Sequence, residues 1–584
     1  MGPHAPKTLP HPSGRPWLIG RWATDELVAA HVGQTQVAVI GRCPVTATAL
    51  LAMAHRARTV ADLDGLGAGL SGSFHLVAAV DGQVRVQGSV SGLRRVFYTQ
   101  LGELTVAADR ADVLAGLAGA AVDEQWLAAR LVYPGLPHPL ADGCPWHGMQ
   151  VLADDCYLLT DPARVVRWWR PPEPIRPLAE AAPVVGQALI TAVEARTRAG
   201  GTISCDLSGG LDSTPICFLA ARGNSRVIAV TLVSADSGHD DLRWARLAAD
   251  QLDGTEHLVL EMQQLPLMYA DVSQGGAGAD EPHITIRDHA SMTCVARRLV
   301  ERGSRLHLCG MGGDQVLQAP TAYLHTTAWA HPRIAAGHLR GQRAVGGWPL
   351  TATLRGLADR RSYQAWLTAA VDDLTAPPPA RGRPDLGWGP TVRLPPWATP
   401  LAADAARTLL HEAAAGAQPL APTRGQHATL EQLRGIGYLT RHLAGIHARA
   451  GLPLAAPFLD DRVVEACLAV RLHERTTPWR FKPLIAEAMR DLMPAAVLHR
   501  TTKGDFSVDG HTGLRRARAH LAELLDDPVL ARLGLVNTDA LRKVCLGLYP
   551  YTLDLVALDR TLACEAWLRT LTPAPPATAR GASR

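Results

Sequence analysis

The sequence CDLSGGLDSTP, residues 205–215, constrains the fold of this chain more than any other stretch. It begins within GTISCDLS, which predicts a buried strand, and runs into STPICFLAARG, which predicts a helix that ends at Gly223. A glycine-rich turn between a buried strand and a helix is typical of the carboxyl edge of a parallel sheet, where open α/β proteins bind ligands. Its backbone N–H groups and the start of the helix predict an anion-binding site. The simpler interpretation is an ordinary turn in which Ser or Asp caps the helix.

Strands and helices alternate on both sides of this turn. Residues 184–198 predict an amphipathic helix, and residues 226–233, 256–261 and 305–310 predict strands separated by helices. This alternation predicts a doubly wound parallel sheet and therefore an α/β fold. Helices dominate the rest of the chain, apart from residues 376–400, which predict an ordered loop without regular structure.

The amino-terminal part of the chain has a different pattern. Short β-rich runs alternate with turns between residues 36 and 170, and VDG followed by VRVQ predicts a hairpin because Asp-Gly accepts positive φ. A Pro-rich connector at 170–183 predicts a domain boundary. We therefore predict a β-rich α+β domain at 1–175, an α/β domain with many helices at 176–572, and a disordered tail at 573–584.

Composition excludes several classes of protein. A chain of 584 residues is too long for a single core, and a net charge of +4 is too small to indicate nucleic acid or an anionic membrane as a partner. The ten Cys residues are scattered without a C-x-x-C pair, as in reduced proteins. The amino terminus lacks the apolar region of a secretory signal, and no run of about 18 apolar residues predicts a membrane span. These features predict a soluble cytoplasmic protein.

Four blocks of sequence, in the same order, resemble the asparagine synthetase family. SGGLDS, Ser208–Ser213, is similar to the pyrophosphate-binding loop of the N-type ATP pyrophosphatases in its asparagine synthetase form. LCGMGGDQVL at 308–317 resembles the family's G-x-G-[SG]-D-E loop, and PFLD at 457–460 resembles a further block. RFKPLIAEAM, with the later KGDFS, resembles the last block. No G-K-[ST] follows the first loop, so a Walker-type transfer of the γ-phosphate is disfavoured.

The resemblance implies an ATP-dependent, AMP-forming carbon–nitrogen ligase that uses ATP and Mg²⁺. It implies that Asp212 and Asp314 bind Mg²⁺ and act in catalysis, since a carboxylate can lie beside phosphate when a cation bridges the two. Lys503 is the implied catalytic cation, which stabilises negative charge on the α-phosphate or on the tetrahedral oxyanion. The residues implied to bind the nucleotide are Leu207, Ser208, Gly209, Gly210, Asp212, Ser213, Thr231, Leu232 and Gly310.

Two departures from the family pattern bear on the reaction. The catalytic glutaminase of the family begins Met-Cys, whereas this chain begins MGP and its first Cys is Cys43. An N-terminal nucleophile cannot be supplied from there, so the amino-terminal domain is expected to keep a glutaminase-like, Ntn-type fold without ammonia production. Met311 stands where asparagine synthetases carry Glu and β-lactam synthetases carry Tyr, and a thioether is not a useful base. Either another residue is the base, or the nucleophile hardly needs one, since roughly a tenth of a peptide α-amine is already neutral at pH 7. Glu431 is a candidate base, although a solvated helix face is the favoured interpretation of that residue.

Adenylation without an ammonia source resembles most closely the lasso-peptide macrolactam synthetases, the lasso cyclases. This resemblance implies that an Asp or Glu side chain of a ribosomal core peptide is adenylated and then attacked by the peptide's N-terminal amine, with release of AMP and pyrophosphate. A leader peptidase and a leader-binding protein are the implied partners. The alternatives are a β-lactam-type small-molecule amide synthetase, an ammonia-fed asparagine synthetase, and a nucleotide-sensing protein without activity, which the two carboxylates and Lys503 disfavour.

Two further patterns are discounted. GAGLSG at 67–72 fits G-x-G-x-x-G but precedes a strand, so it does not predict a dinucleotide site. His442 and His447 lie five residues apart, off a common helical face, and are interpreted as structural.

Overall fold

The computed structural model describes residues 6–23, 25–67, 69–236, 238–378, 382–502, 504, 506–545, 547 and 555–571. Lys503 and the predicted tail at 573–584 lie outside the described residues.

The amino-terminal region is built from antiparallel sheets. Its strands are β1 (Lys7–Pro10), β2 (Pro16–Gly20), β3 (Leu27–Val32), β4 (Thr35–Arg42), β5 (Ser73–Val80), β6 (Gln83–Gln87), β7 (Phe97–Leu101), β8 (Leu104–Ala108), β9 (Gln150–Val151), β10 (Cys156–Thr160) and β11 (Ala163–Arg167). A six-stranded sheet has the order β11-β10-β6-β5-β4-β3, a three-stranded sheet the order β8-β7-β9, and β1 pairs with β2. The helices of this region are α1 (Ala47–Arg56), α2 (Asp62–Gly67), α3 (Ala111–Ala118) and α4 (Glu124–Arg130).

The six-stranded sheet buries one face against α1 and α2. Val37 and Val39 of β4 and Leu76 of β5 share a core with Leu50 of α1, as the alternation of a half-buried sheet requires. The predicted Asp-Gly hairpin is confirmed, because Asp81 has φ of 48° in the turn between β5 and β6. The glutaminase-like fold of this region stays a prediction.

The carboxy-terminal region is organised by a parallel sheet. Its strands are β12 (Thr202–Asp206), β13 (Arg226–Val233), β14 (Glu256–Glu261), β15 (His307–Leu308) and β16 (Leu454–Ala455). The order is β14-β13-β12-β15-β16, and every neighbouring pair is parallel. The predicted parallel α/β sheet is therefore confirmed. Its first strand, β12, is central, so the chain adds strands first on one side and then on the other.

Helices surround this sheet on both faces and extend beyond it. They are α5 (Leu178–Thr197), α6 (Ser213–Ala221), α7 (Asp241–Ala249), α8 (Val272–Gly275), α9 (His289–Glu301), α10 (Gly313–Leu317), α11 (Tyr323–Ala330), α12 (Pro332–Gly346), α13 (Leu350–Ala358), α14 (Tyr363–Asp372), α15 (Pro400–Ala415), α16 (Arg424–Arg449), α17 (Asp461–Leu468), α18 (Leu472–Arg475), α19 (Pro483–Ala488), α20 (Ala495–Leu498), α21 (Ser507–Leu524), α22 (Val529–Arg532), α23 (Thr538–Cys545) and α24 (Leu555–Leu571). Short 3₁₀ helices lie at Leu140–Asp142, Met262–Gln264, Ile284–Asp288 and Pro457–Leu459.

The two faces of the parallel sheet bury different helices. Ile203 and Cys205 of β12 pack with α5 and α6 on one face. Ile228 and Val230 of β13 pack with α9 on the other. Adjacent strand residues thus face opposite layers, which is the doubly wound arrangement.

Within the described residues, α5 is the one helix whose length and composition would allow it to cross a membrane. Its residues Val185, Leu189 and Val193 are buried in the core on the parallel sheet. We therefore interpret α5 as a core helix of the α/β region.

The predicted loop at 376–400 contains neither helix nor strand in its described residues before α15 begins at Pro400. An isolated antiparallel bridge joins Arg393 to Tyr133 of the amino-terminal region. The loop is therefore ordered partly by contact with that region.

Candidate active site

The loop between β12 and α6 is shaped by a glycine and by two serine hydroxyl groups. Gly209 has φ of 72°, and a Cβ at this position would collide with Trp244 of α7, so the close packing requires glycine. The backbone N–H of Ser208 donates to Ser213 Oγ at 3.1 Å, and the two hydroxyl oxygens lie 2.9 Å apart. The loop ends at the start of α6, where backbone N–H groups have no helical partners and favour an anion.

Asp212 and Asp314 meet at one buried ammonium group. Lys482 Nζ donates to both carboxylate oxygens of Asp212 at 2.5 Å and lies 2.6 Å from Asp314 Oδ1. The Lys482 side chain is 1% exposed, whereas the Asp314 side chain is 40% exposed. The two carboxylates predicted as metal ligands are thus brought together at an edge that is open to solvent.

The surroundings of this pair depend on glycine. Gly310 and Gly313 pack directly on Asp212, and a Cβ at either position would overlap that residue. Because α10 begins at Gly313, the loop delivers Asp314 in the first turn of that helix. Carboxylate oxygens that converge at a partly solvated edge are a donor set that suits Mg²⁺, so the residues present fit that ion.

Lys482 is a site residue that the sequence did not single out. It occupies the left-handed region at φ of 44° and caps the start of α19. A non-glycine residue held there costs on the order of 1–3 kcal/mol, which the surrounding contacts must offset. The available signal was the Lys-Pro pair within the block RFKPLIAEAM, an isolated Lys between apolar neighbours.

Arg500 anchors the chain just before Lys503. Its Nη1 donates to the Ser208 carbonyl oxygen at 2.8 Å, and its Nη2 donates to Asp240 Oδ1 at 2.8 Å and to Asp241. Thr502 Oγ1 donates to Asp240 Oδ2 at 2.6 Å. The segment that leads to Lys503 therefore lies against the phosphate loop, although Lys503 itself is outside the described residues.

The predicted adenine contacts lie beside the same loop. Leu207 is buried, and its N–H donates to the Val230 carbonyl oxygen at 2.7 Å. Thr231 Oγ1 donates to the Leu207 carbonyl oxygen at 2.5 Å and lies 2.8 Å from His257 Nε2. The Thr231 hydroxyl is thus used within the sheet, and contact of Thr231 and Leu232 with a nucleotide stays a prediction.

The PFLD block has a structural basis. Asp460 is fully buried and accepts two hydrogen bonds from the Arg196 guanidinium of α5, at 2.8 and 2.6 Å. Leu459, just before it, packs directly on Gly312, so that a Cβ on Gly312 would collide with the Leu459 side chain. The block therefore supports the loop that carries Asp314.

A cavity of about 430 Å³ lies between the two regions of the chain. Its walls come from the amino-terminal region, from α16 and from residues 385–392 of the predicted loop, and it reaches Gln315, the neighbour of Asp314. The polar and charged residues that line it are Arg95, Arg130, His138, Asp142, Asp154, Gln315, Asp385, Glu431, Gln432, Arg434, Tyr438 and Arg560.

Glu431 faces this cavity, which corrects the interpretation of a solvated helix face. The side chain is half-buried, and its Oε1 accepts the N–H of His138 at 3.0 Å. Burial raises the pKa of Glu431 to about 7 and that of Asp154 to about 7. Burial also raises the pKa of Asp385 to about 6. The cavity therefore holds carboxyl groups that exchange protons near neutral pH.

Two other groups are not built for catalysis. Burial raises the pKa of the Cys43 thiol to about 11, so this Cys is a poor nucleophile. Asp280, Glu281 and His442 lie within metal-binding distance of one another, but the guanidinium groups of Arg95 and Arg441 already bind these carboxylates. That cluster joins the two regions by ion pairs.

Comparison with known proteins identifies one family. The family model described as asparagine synthase matches residues 184–569. A search of curated proteins finds none that matches the chain.

Proposed function

Because the chain belongs to the asparagine synthase family, we propose that it forms a macrolactam within a peptide. Family membership makes the protein an ATP-dependent carbon–nitrogen ligase, which forms an amide bond. The proposal adds that an Asp or Glu side chain supplies the carboxylate and that the N-terminal amine of the same peptide supplies the nitrogen. A leader peptidase and a leader-binding protein belong to the same proposal as partners.

The cavity between the two regions is the observation that carries the proposal. Its volume of about 430 Å³ is that of a site for several residues of a peptide rather than for ammonia. It reaches Gln315, the residue after Asp314, so a chain bound there lies near the loop that carries this carboxylate. Residues 385–392 of the predicted loop form one wall.

The expected loss of ammonia production supports an amine that arrives on the substrate. Cys43 is internal, half-buried and of raised pKa, so it cannot serve as an N-terminal nucleophile with its own α-amine as base. The amino-terminal region instead contributes Arg95, Arg130 and Asp142 to the cavity. We infer that this region now serves substrate binding.

The proposed reaction has two steps. The substrate carboxylate attacks the α-phosphorus of ATP, and pyrophosphate leaves into the loop Ser208–Ser213. Asp212 and Asp314 would hold Mg²⁺, which neutralises phosphate charge when bound. The N-terminal amine then attacks the acyl carbon and AMP leaves. Holding both ends of one peptide together makes ring closure effectively unimolecular and lowers the barrier by up to about 7–11 kcal/mol.

A panel of linear peptides tests this function. Each peptide has a free N-terminal amine and one Asp or Glu, at a distance that varies across the panel. We expect pyrophosphate release that depends on the peptide and a product lighter by one water, detected by mass spectrometry. Acetylation of the N-terminal amine should stop product formation.

The outcome with free aspartate separates this proposal from the ammonia-fed alternative. Pyrophosphate release with L-aspartate and ammonium, in the absence of any active peptide, would contradict the proposal. Asp314→Asn is the matched inactive control, because it keeps the side-chain size but removes one metal carboxylate.

A further inference from the structure

A partly exposed carboxylate lies at the carboxyl edge of the parallel sheet. Asp206 is the last residue of β12, directly before Leu207 and the phosphate loop. The strand order places the topological switch between β12 and β15, and open α/β proteins bind ligands in the crevice at that point. Asp206 therefore ends the central strand beside the loops that carry Asp212 and Asp314.

The side chain of Asp206 belongs to the face opposite α6. Since Ile203 and Cys205 point into the core with α5 and α6, the alternation of the strand turns Ser204 and Asp206 to the other face. Within this face, His307 of β15 pairs with Ser204 in register. The Asp206 side chain is 43% exposed, whereas that of His307 is 5% exposed.

A buried network holds this carboxylate. His307 Nε2 lies 3.0 Å from Asp206 Oδ1, and His307 Nδ1 lies 2.9 Å from Ser204 Oγ. Ser204 Oγ lies 2.9 Å from Ser304 Oγ, and the His447 ring stacks on His307 at 5.6 Å. With Nε2–H donating to Asp206, Nδ1 accepts from the Ser204 hydroxyl, so both ring nitrogens are satisfied. The ring is fixed, and one carboxylate oxygen is fixed with it.

Burial keeps three groups near Asp206, two Cys and one His, neutral near pH 7. Burial raises the pKa of Cys309 to about 12 and that of Cys205 well above its ordinary value. Burial, together with His307, lowers the pKa of His447 to about 3. Because none of these three groups carries a compensating positive charge, the Asp206 carboxylate can attract an amine in the crevice.

We propose that Asp206 contacts the attacking amine and takes up its proton, and that His307 is a positioning residue for this carboxylate. The inference rests on the ligase reaction proposed above. It supplies a proton acceptor for the attacking amine, a role that the Met311 thioether cannot fill. The nitrogen lone pair forms the bond to the acyl carbon, AMP leaves with the electron pair of the acyl–oxygen bond, and the N–H proton passes to Asp206. No other reactant is needed to balance the step.

The test separates the two half-reactions in Asp206→Asn, with a panel peptide that wild type cyclises. Adenylation is measured as peptide-dependent exchange of labelled pyrophosphate into ATP, and amide formation as cyclised product. We expect exchange to be retained while cyclisation falls by about 10²–10⁴-fold. Hydroxylamine needs little base assistance, so hydroxamate formation should proceed in the variant. Asp206→Glu should recover part of the cyclisation.

Each other outcome overturns the inference. Joint loss of exchange and cyclisation would place Asp206 in nucleotide binding or in folding, and an unchanged rate of cyclisation would remove it from the reaction. If Glu431→Gln, and not Asp206→Asn, retained pyrophosphate exchange but lost cyclisation, Glu431 in the cavity would be the proton acceptor instead. Asp253→Asn, an exposed residue before the amino edge of β14, is the control and should leave both half-reactions unchanged.

A binding measurement keeps this inference distinct from the proposed function. If no peptide of the panel supports exchange in wild type, the proposed function fails, and glycinamide then serves as the probe for the amine site. In protein labelled with ¹⁵N-histidine, glycinamide added with ATP and Mg²⁺ should shift the His307 resonance in wild type but not in Asp206→Asn. No shift in wild type would overturn the role of Asp206.

Discussion

Replacing Lys482 by Met tests whether its buried ammonium group neutralises the two carboxylates that would hold Mg²⁺. Lys482 Nζ lies 2.5 Å from Asp212 and 2.6 Å from Asp314, and its side chain is 1% exposed. Met keeps most of the side-chain volume and removes the charge. The substitution therefore isolates the electrostatic contribution of the ammonium group.

The expected magnitude follows from the attractions between Lys482 and the two carboxylates, which the substitution removes. Removing one partner of a buried ion pair costs about 3–5 kcal/mol. Because the Asp314 side chain is 40% exposed, solvent screening reduces this to about 2 kcal/mol. We expect the free energy of unfolding of Lys482→Met to fall by about 2 kcal/mol in Mg²⁺-free buffer. Added Mg²⁺ should recover a large part of the loss, since a divalent cation held by Asp212 and Asp314 would replace the lost positive charge.

Urea denaturation followed by Trp fluorescence, with EDTA or with Mg²⁺, measures both effects. Lys543→Met is the matched control, because Lys543 is exposed on α23, and its stability should equal that of wild type in both buffers. Equal stability of Lys482→Met and wild type without Mg²⁺ would refute the electrostatic argument. A variant whose stability does not respond to Mg²⁺ would refute the assignment of the metal site.

Three other substitutions have defined outcomes. Gly209→Ala should abolish ATP binding in calorimetry, because its Cβ collides with α7, whereas Gly254→Ala, with φ of 70° and open space around it, should bind ATP normally. Arg500→Lys removes the planar guanidinium group that binds the Ser208 carbonyl oxygen. The KM for ATP should therefore rise about tenfold while kcat changes less, and an unchanged KM would contradict a role for this contact. Burial raises the pKa of Glu431 to about 7, so the folded state binds this proton more tightly and stability falls as pH rises from about 4.5 to 7. Glu431→Gln should therefore match wild type at pH 5 and exceed its free energy of unfolding at pH 8 by about 1–3 kcal/mol, and a variant less stable at pH 8 would contradict the shift.

Local pattern predicts those parts of the molecule that local forces determine. The strand at 226–233 and the Asp-Gly turn at 81–82 were predictable from periodicity and from turn chemistry. The strand predicted at 305–310 is shorter, His307–Leu308, because Gly310 bends away to pack on Asp212. That contact depends on the folded arrangement of two loops, which periodicity does not encode.

Long-range contacts explain why the site was only partly predictable. Asp212 and Asp314 could be proposed from motifs, but Lys482 meets Asp212 from a separation of 270 residues and carries no periodic signal. The pair of Asp206 and His307 spans 101 residues, and each is unremarkable within its own strand. Residues whose role comes from a tertiary partner become visible when the sheet order brings them to one edge.

Buried ion pairs join the amino-terminal region to the ligase region. Arg95 lies 3.3 Å from Glu281, and Arg434 lies 3.2 Å from Asp155, with both guanidinium groups largely buried. Separation of the regions would take these partners away from Arg95 and Arg434, which costs several kcal/mol for each buried pair. The same surfaces enclose the cavity that reaches Gln315. The amino-terminal region therefore completes the wall of this cavity and neutralises charges of α16.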